Sequence, residues 1–241
     1  MTASNNHRTF DPTSTPTLVD SVADALRTSI LSGLIGPGEP LVEAELAREL
    51  RVSRGPVREA LALLGQEGIV SSVPRHGKFV QAFTPRLVDE IYSLRMVLEP
   101  YAVSRVIINL DESAEERLEA ALVTIADAAA GNDAYALARF DIAFHHLLYE
   151  LADHELLMRA WQDNIAGRLQ ILLNVTTRSL RMLIDAEENH RRLLEPILAR
   201  DEARARAALE EHIGEAAERA RRGMLGKRER RSARGTHADS P

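Results

Sequence analysis

The chain has 241 residues, of which 45% are hydrophobic and 27% are charged, and its formal net charge is −6 at pH 7. This length is sufficient for two compact domains, and the lack of cysteine excludes disulfides and thiolate metal sites. No apolar run approaches the ~20 residues needed to cross a membrane, and the first residues lack the apolar core of a secretion signal. The composition therefore predicts a soluble cytoplasmic protein that does not contact a membrane.

Charge is unevenly distributed along the chain. Residues 1–80 carry 8 basic and 9 acidic side chains, residues 81–218 carry 14 and 25, and residues 219–235 carry 8 and 1. The middle segment, with a net charge of −11, would be repelled by a nucleic acid. We therefore expect any DNA-binding surface to lie in the first segment and the acidic body to point away from it.

The chain begins with a polar segment, residues 1–16, which we predict to be a disordered tail. Residues 17–83 are predicted to form a winged helix-turn-helix DNA-binding domain. Within them, the stretch from Glu43 to Gly77 indicates a helix, a tight turn, a second helix that opens with arginine, and a short basic hairpin. This order of elements is typical of proteins that place a helix in a DNA groove.

The second helix of this unit has signals at both ends. Ser53 is expected to cap it by accepting a hydrogen bond from a free backbone amide. Pro56 falls in the first turn, where a missing amide proton costs little, and Gly68 is expected to end the helix in the left-handed conformation. These signals predict a helix that begins near Arg54 and ends before Gly68.

One face of that helix is apolar and a neighbouring face is not. Arg54, Gly55, Arg58 and Ala62 share the second face, and an arginine fork can reach a guanine edge or clamp a phosphate. When the arginines are considered alone, the alternative explanation is an ordinary charged helix face exposed to solvent. The cap, the apolar stripe and the basic wing together favour DNA binding. The stripe consists of Val57, Ala60, Leu61 and Leu64, and the wing strands are predicted at Ile69–Val70 and Lys78–Val80.

The region from Leu18 to Phe83 resembles the winged-helix domain of GntR-type bacterial transcription regulators, especially their FadR-like branch. The matching runs are SILSGLIGPGEPL, VEAELAREL, VSRGPVREAL and EGIV. The resemblance implies DNA contacts at Ser53, Arg54, Gly55 and Arg58, and a wing glycine at Gly77. Gly55 stands where many relatives have threonine or serine, so a hydroxyl contact to phosphate is not expected there.

Residues 84–223 are predicted to form an antiparallel all-α bundle, joined to the first domain by Thr84–Pro85. A basic, disordered tail is predicted over residues 224–241. Short breaks at Asp111, Gly131–Asn132 and Asp153 imply antiparallel neighbours. The predicted helices run near Pro85 to Ile108, Ser113 to Ala130, Asp133 to Ala152, His154 to Thr176, Leu180 to Arg200, and Asp201 to Arg222.

The bundle contains one candidate metal site. Asp141 and His145 lie four residues apart, so both side chains project from the same helix face. His190 and His212 lie on two later helices. One carboxylate and three imidazoles suit a borderline divalent ion such as zinc, nickel or manganese. For any single histidine, an ordinary helix position without a ligand role is the alternative, and His146 is expected to point elsewhere.

The bundle also resembles the helical ligand-binding domain of the FadR-like branch, called FCD. The matching runs are DIAFHHLL from Asp141, ENHRRLLEPI from Glu188, and His212. The resemblance implies that the four residues hold a metal, and that a small organic acid completes the coordination in a central cavity. Arg95 is a candidate second anchor for the acid. An ion pair of Arg95 with Glu99 is the alternative. The count of six predicted helices is closer to the VanR-like subset than to relatives with seven helices.

The sequence therefore predicts a transcriptional regulator that binds a near-palindromic operator as a homodimer and senses a small organic acid. We expect a repressor, because repression is the commoner behaviour among the proteins it resembles. One alternative is a regulator for which the metal itself is the signal. A metal-dependent enzyme with a DNA-binding domain is the other, and it is disfavoured because no general base or nucleophile motif accompanies the four ligands.

Overall fold

The computed structural model describes residues 17–176 and 185–235, with side chains as far as Met224. It confirms a mainly α fold with an N-terminal winged helix-turn-helix followed by a helical bundle. No helix within the described residues is long and apolar enough to span a bilayer. The predicted tail over residues 1–16 lies outside the described residues.

The N-terminal part contains three helices: α1 (Leu18–Leu31), α2 (Glu43–Glu49) and α3 (Arg54–Gln66). Thr17 and Asp20 form a reciprocal capping box at the start of α1. The predicted apolar stripe of α3 is fully buried, and Gly68 has a φ of +71°. The stripe and the left-handed end of this helix are therefore confirmed.

Two antiparallel strands, β1 (Val70–Val73) and β2 (Gly77–Val80), form the wing. Val70 pairs with Val80, and Val73 pairs with Gly77. The first strand is displaced towards the wing tip from the predicted Ile69–Val70, because Ile69 is fully buried in the core and its carbonyl accepts from the backbone of Gln81. The three-residue tip carries Arg75 at a φ of +65°.

The remaining helices are α4 (Pro85–Asn109), α5 (Glu112–Ala130), α6 (Ala134–Leu151), α7 (Glu155–Trp161), α8 (Gly167–Thr176), α9 (Ala186–Leu198) and α10 (Glu202–Gly235). They surround a second core that is aliphatic apart from a few aromatic side chains. Thr84 caps α4 by accepting from the amide of Leu87, and Asp111 and Asp133 cap the next two helices. The start predicted at Leu180 for the fifth bundle helix falls on residues 177–184, outside the described part.

Two predicted boundaries in the bundle need correction. The helix predicted from His154 to Thr176 is interrupted by a π-helical turn, Gln162–Ala166, between α7 and α8. The helix predicted to end at Arg222 continues to Gly235, so residues 224–235 have helical backbone rather than the predicted disordered tail. The physical reason is that arginine, lysine, glutamate and alanine, which dominate this segment, are good helix formers whatever their net charge.

The two cores meet at α8. Ile171 of this helix is buried in the core of the winged domain, and Asn174 donates a side-chain hydrogen bond to the carbonyl of Leu31 at the end of α1. A Cβ atom on Gly167 would lie only 2.6 Å from Cγ1 of Ile69, just beyond α3. The bundle therefore contributes one helix directly to the packing of the DNA-binding domain.

Candidate DNA-binding surface and metal centre

The residues predicted to contact DNA share one exposed surface. Ser53, Arg54, Gly55 and Arg58 are exposed around the first turns of α3, and Gly77 is exposed in the wing. A Cβ on Gly55 would meet nothing within 4 Å, and Gly77 adopts a φ of +103° that disfavours any side chain. The helix start and the wing are therefore both free to approach a duplex.

The side chain of Ser53 does not cap α3, which corrects the prediction. Ser53 has the extended N-cap backbone, but its hydroxyl accepts no capping hydrogen bond. The N3 position of the helix is Pro56, which has no amide proton to donate. A serine cap normally accepts from N2 or N3, so the proline removes one of the two donors and the hydroxyl is left to an outside partner.

Arg58 is paired in the free protein. Its Nε lies 3.1 Å from Oε2 of Glu43 in the first turn of α2, and this hydrogen bond raises the pKa of the guanidinium further. Both groups are at the surface, so the pair has little net stability. A phosphate or a guanine edge must share or replace Glu43 to engage this arginine.

The four predicted metal ligands converge in the bundle. One ligand atom from each of Asp141, His145, His190 and His212 lies within 4.8 Å of every other. The Nε2 atoms of His145 and His212 are 3.2 Å apart, and Nε2 of His190 is 3.3 Å from Oδ1 of Asp141. Ligand atoms bound tetrahedrally at about 2.0–2.1 Å from one zinc ion would be about 3.3 Å apart, so these distances fit a single ion.

Contacts to the Nδ1 atoms of His190 and His145 determine which ring nitrogen of each histidine is available to a metal. Nδ1 of His190 lies 2.8 Å from the carbonyl oxygen of Ala186, which favours a proton on Nδ1 and leaves Nε2 bare. That buried Nε2 has no hydrogen-bond partner among the described residues. Nδ1 of His145 is 2.8 Å from Oε2 of Glu99, and this contact also favours a bare Nε2. Such outer partners are typical of metal-bound histidines.

Glu99 and Arg95 form a buried ion pair on α4, with the guanidinium Nε directed at the carboxylate. Nη2 of Arg95 is also 3.0 Å from Nε2 of His145. The ion pair that the sequence left as an alternative is therefore present. Arg95 nevertheless lines the cavity described below, so its position is compatible with the predicted role as an anchor for an acid.

Electrostatics keep Asp141 and His212 in their metal-binding protonation states. Burial alone would raise the pKa of Asp141, but the adjacent His190 and the nearby imidazoles of His145 and His212 hold it well below its usual value. Burial, together with the neighbouring His190 and His145, lowers the pKa of His212 well below 6.5. At neutral pH the carboxylate is charged and the His212 ring is neutral, as a metal requires.

A cavity of about 1100 Å³ opens onto three of the ligands, Asp141, His190 and His212. Its wall also includes Arg95 and the phenol of Tyr92. The buried Tyr92 hydroxyl has no hydrogen-bond partner among the described residues, and burial raises its pKa to about 12, so it is a neutral donor. The cavity therefore combines a group of possible metal ligands with donors that match an anionic, oxygen-rich ligand.

Two family models match the chain. The model described as bacterial regulatory proteins of the gntR family matches residues 18–80, and the FCD domain model matches residues 90–215. The FCD match alone covers more than half of the chain. The protein belongs to the GntR family.

Curated relatives agree with this assignment. The HTH-type transcriptional regulator YdhC of Bacillus subtilis is 30% identical over 194 residues, which cover 78% of this chain and 84% of the relative. The gluconate operon transcriptional repressor of the same organism is 32% identical over 187 residues, which cover 76% of each chain. The family and these relatives are transcriptional regulators.

A solved structure shows the same fold. The E. coli protein McbR/YncC superposes with a TM-score of 0.71 at 24% sequence identity, covering 85% of this chain and 97% of that chain. At this identity the likeness supports the fold alone. It covers both the winged domain and the bundle of this GntR family member.

Other histidines of this GntR protein have structural partners. Nδ1 of His146 faces the indole N–H of Trp161 at 3.2 Å, so His146 points away from the cluster as predicted. His154 caps α7, with Nδ1 accepting from the amide of Leu157. Neither ring is a ligand.

Sequence reasoning missed two residues at the site and two that join the bundle to the winged domain. The contact of Glu99 with His145 was signalled only by its spacing from Arg95, which gave no indication of burial. Tyr92 carried no signal beyond its place one turn before Arg95. Ile171 and Asn174, which join the bundle to the winged domain, resemble any other positions of a buried helix.

Proposed function

We propose that this protein is a ligand-responsive repressor of transcription. A dimer binds a near-palindromic operator through Ser53, Arg54, Gly55 and Arg58 and through the wing at Gly77. A small organic acid then binds in the bundle cavity and changes the affinity for DNA. The gluconate operon relative, named as a transcriptional repressor, supports repression and makes an acid a reasonable effector class.

The single observation that carries this proposal is the position of α8 between the two sites. Gly167, Ile171 and Asn174 lie along the face that contacts the winged domain. Leu173 and Thr176 lie on the wall of the cavity. An acid that alters the cavity wall thereby shifts the support of the winged domain behind α3, in addition to any effect through the Thr84–Pro85 linker.

The cavity residues have separate roles in holding the acid. Asp141, His145, His190 and His212 would hold a divalent ion, zinc, nickel or manganese, which when bound supplies a positive centre for a carboxylate. Arg95 directs Nε at Glu99, and when the metal holds Nε2 of His145, the Nη hydrogens of Arg95 that face this ring in the metal-free protein are released for the acid. The Tyr92 hydroxyl can donate to a second oxygen.

The test is operator binding measured by fluorescence anisotropy with metal and acids added separately. Two- to six-carbon hydroxy, keto and dicarboxylic acids form the screen. The right acid should weaken operator binding by about 5- to 150-fold, and operator DNA should weaken acid binding by the same factor. Asp141→Ala should lose both the metal and the response, whereas Asp127→Ala, on the exposed surface of α5, should keep both.

Each of the other outcomes would support a different function or refute the proposal. Operator affinity that follows metal alone, with no effect of any acid, would make the metal the signal. Turnover of an acid would support an enzyme. The pairing of Glu99 with Arg95 argues against this function. Burial would raise the pKa of this carboxyl, but Arg95 and then His145 lower it to about 2, so it is a weak base at neutral pH. An acid that binds tightly without changing operator affinity would refute the sensor.

A further inference from the structure

Arg168, in the first turn of α8, lies against the end of α3. That end closes as a Schellman motif, in which the amide of Gly68 donates to the carbonyl of Gly65 and the amide of Ile69 donates to that of Leu64. The guanidinium of Arg168 occupies the space that a Cβ on Gly68 would need. Two features therefore require glycine at residue 68, its positive φ and the arginine beside it.

The same guanidinium binds the π-helical turn that precedes α8. Nη1 of Arg168 donates to the carbonyl oxygens of Asp163 and Asn164, at 2.9 Å each. A π turn closes its hydrogen bonds over five residues instead of four. It therefore leaves a carbonyl without an amide partner where the α-helix resumes, and Arg168 supplies donors at this point.

Peptide dipoles, rather than a carboxylate, face the charge of Arg168. Burial lowers the pKa of its half-buried guanidinium, and the described residues provide no acidic neighbour that offsets this shift. The C-terminal end of α3 carries the partial negative charge of the helix dipole. A cation that is bonded to the π turn and faces the end of α3 favours the arrangement in which these two segments lie together.

The other end of the π turn adjoins the candidate metal centre. Trp161, which directly precedes the turn, is fully buried and is the only tryptophan of the chain. Its indole N–H donates to Nδ1 of His146 on α6 at 3.2 Å, and its ring stacks on Tyr149 of the same helix. The ring centroids of Trp161 and the candidate ligand His145 are 6.5 Å apart. A displacement of α6 at the cluster would therefore move the indole and the turn that follows it.

We propose that Arg168 is a positioning residue that holds the end of α3 against the π turn and thereby transmits a change at the cluster to the DNA-binding surface. The contacts run from α6 through Trp161 and the π turn to Arg168 and Gly68. This inference rests on the ligand-responsive regulator proposed above, and it identifies the contact that carries the response.

Operator binding followed through the emission of Trp161 tests the proposal. Trp161 lies in the bundle core, so DNA at α3 can change its emission only through the protein. We expect operator DNA to change the emission of the parent and to leave that of Arg168→Met unchanged, because methionine fills space but donates no hydrogen bond. Arg168→Met should also bind the operator about 3- to 10-fold more weakly.

A conservative variant separates hydrogen bonding from space filling. Arg168→Lys should keep the emission change and the operator affinity of the parent, because a single nitrogen already makes both hydrogen bonds and an ammonium can replace it. Arg159→Met is the matched control, since Arg159 on α7 pairs with Glu155 at the surface, and it should behave like the parent.

Several outcomes would overturn the inference. An equal emission change in the parent and in Arg168→Met, or no change in the parent, would show that α3 and the π turn are not connected through Arg168. Equal losses in Arg168→Lys and Arg168→Met would show that the hydrogen bonds have no part in the effect. The acid screen tests the sensor independently, because the Trp161 signal requires operator DNA alone.

A double-mutant cycle tests the contact itself, even if Arg168→Met folds poorly. Gly68→Ala meets both the backbone strain and the guanidinium in the parent, but only the strain when Arg168 is also alanine. The drop in melting temperature caused by Gly68→Ala should therefore be clearly larger in the parent than in Arg168→Ala. Equal drops in the two backgrounds would mean that Arg168 does not press on Gly68, and the inference would fail.

Discussion

Replacing Glu99 by glutamine isolates the charge that faces both Arg95 and His145. The substitution keeps the size of the side chain and removes one negative charge from a fully buried site. It leaves the guanidinium of Arg95 without its counterion in a medium where an unpaired charge is costly. We expect the protein to lose stability and, because the Nδ1 partner of His145 is weakened, to bind metal about 10- to 100-fold less tightly.

The pKa of Glu99 sets the size of the stability loss. In the folded protein it lies at about 2, compared with 4.5 for an unperturbed carboxyl. At about 1.4 kcal/mol per pKa unit, this difference corresponds to about 3 kcal/mol of unfolding free energy. Breaking a buried ion pair typically costs about 3–5 kcal/mol, which is of the same order.

The pH dependence has a definite sign. A carboxyl whose pKa is lowered on folding contributes its full stabilisation above its unfolded pKa, here 4.5, and loses it as the pH falls towards the folded pKa. The difference in unfolding free energy between parent and Glu99→Gln should therefore be largest at pH 7. It should shrink between pH 4.5 and about 2.

Urea unfolding followed by circular dichroism, with a chelator present, measures this difference. Glu90→Gln is the matched control, because Glu90 pairs with Arg86 at the same four-residue spacing on the same helix, but at the surface. Exposed pairs of this kind contribute about 0.3–0.5 kcal/mol. Equal losses in Glu99→Gln and Glu90→Gln would refute the argument that burial gives the Arg95 pair its importance.

Three further predictions concern the DNA-binding half. Arg54→Ala and Arg58→Ala should each weaken operator binding by about 1–3 kcal/mol in an anisotropy titration, and parental affinity in both would exclude α3 as the recognition helix. Gly55→Ser should bind the operator up to severalfold more tightly, because one hydrogen bond to phosphate contributes about 1 kcal/mol; weaker binding would contradict the open approach at this turn. Gly167→Ala should lose about 1–3 kcal/mol of unfolding free energy and melt at a lower temperature, because its Cβ would press on Ile69. Gly214→Ala, with nothing within 4 Å of its Cβ, should be neutral or stabilising. Similar melting of the two glycine variants would refute the tight contact at α8.

Much of the fold could be predicted because its signals are local. The buried stripe of α3 repeats at helical spacing, and Gly68 takes the left-handed conformation that its position required. The Ser53 cap failed for an equally local reason, since Pro56 removes an amide donor that the capping rule assumes. The helix at the C-terminal end of α10 was not predicted, although the residues of this segment are good helix formers.

The remaining features depend on tertiary contacts, which spacing does not encode. The four-residue spacing of Arg95 and Glu99 allowed an ion pair, but only the packing of α4 against α6 shows that the pair is buried beside His145. Periodicity gave α8 an apolar face without indicating that Ile171 serves the other domain. The four candidate ligands were predicted as a set and do converge, while their occupation by a metal stays a prediction.

The contact of α8 with the winged domain also determines how the protein unfolds. Ile171 completes a core that otherwise belongs to residues 22–80, so separating the domains exposes an apolar surface on both sides. Burial of a side chain of this size contributes about 1.5–3 kcal/mol, a large share of the marginal stability of a small domain. The two domains should therefore melt in one cooperative transition, and a fragment that ends at Phe83 should be less stable than its length suggests. A functional chimaera that exchanges the DNA-binding domain between relatives would therefore also need the face of α8 that packs against that domain.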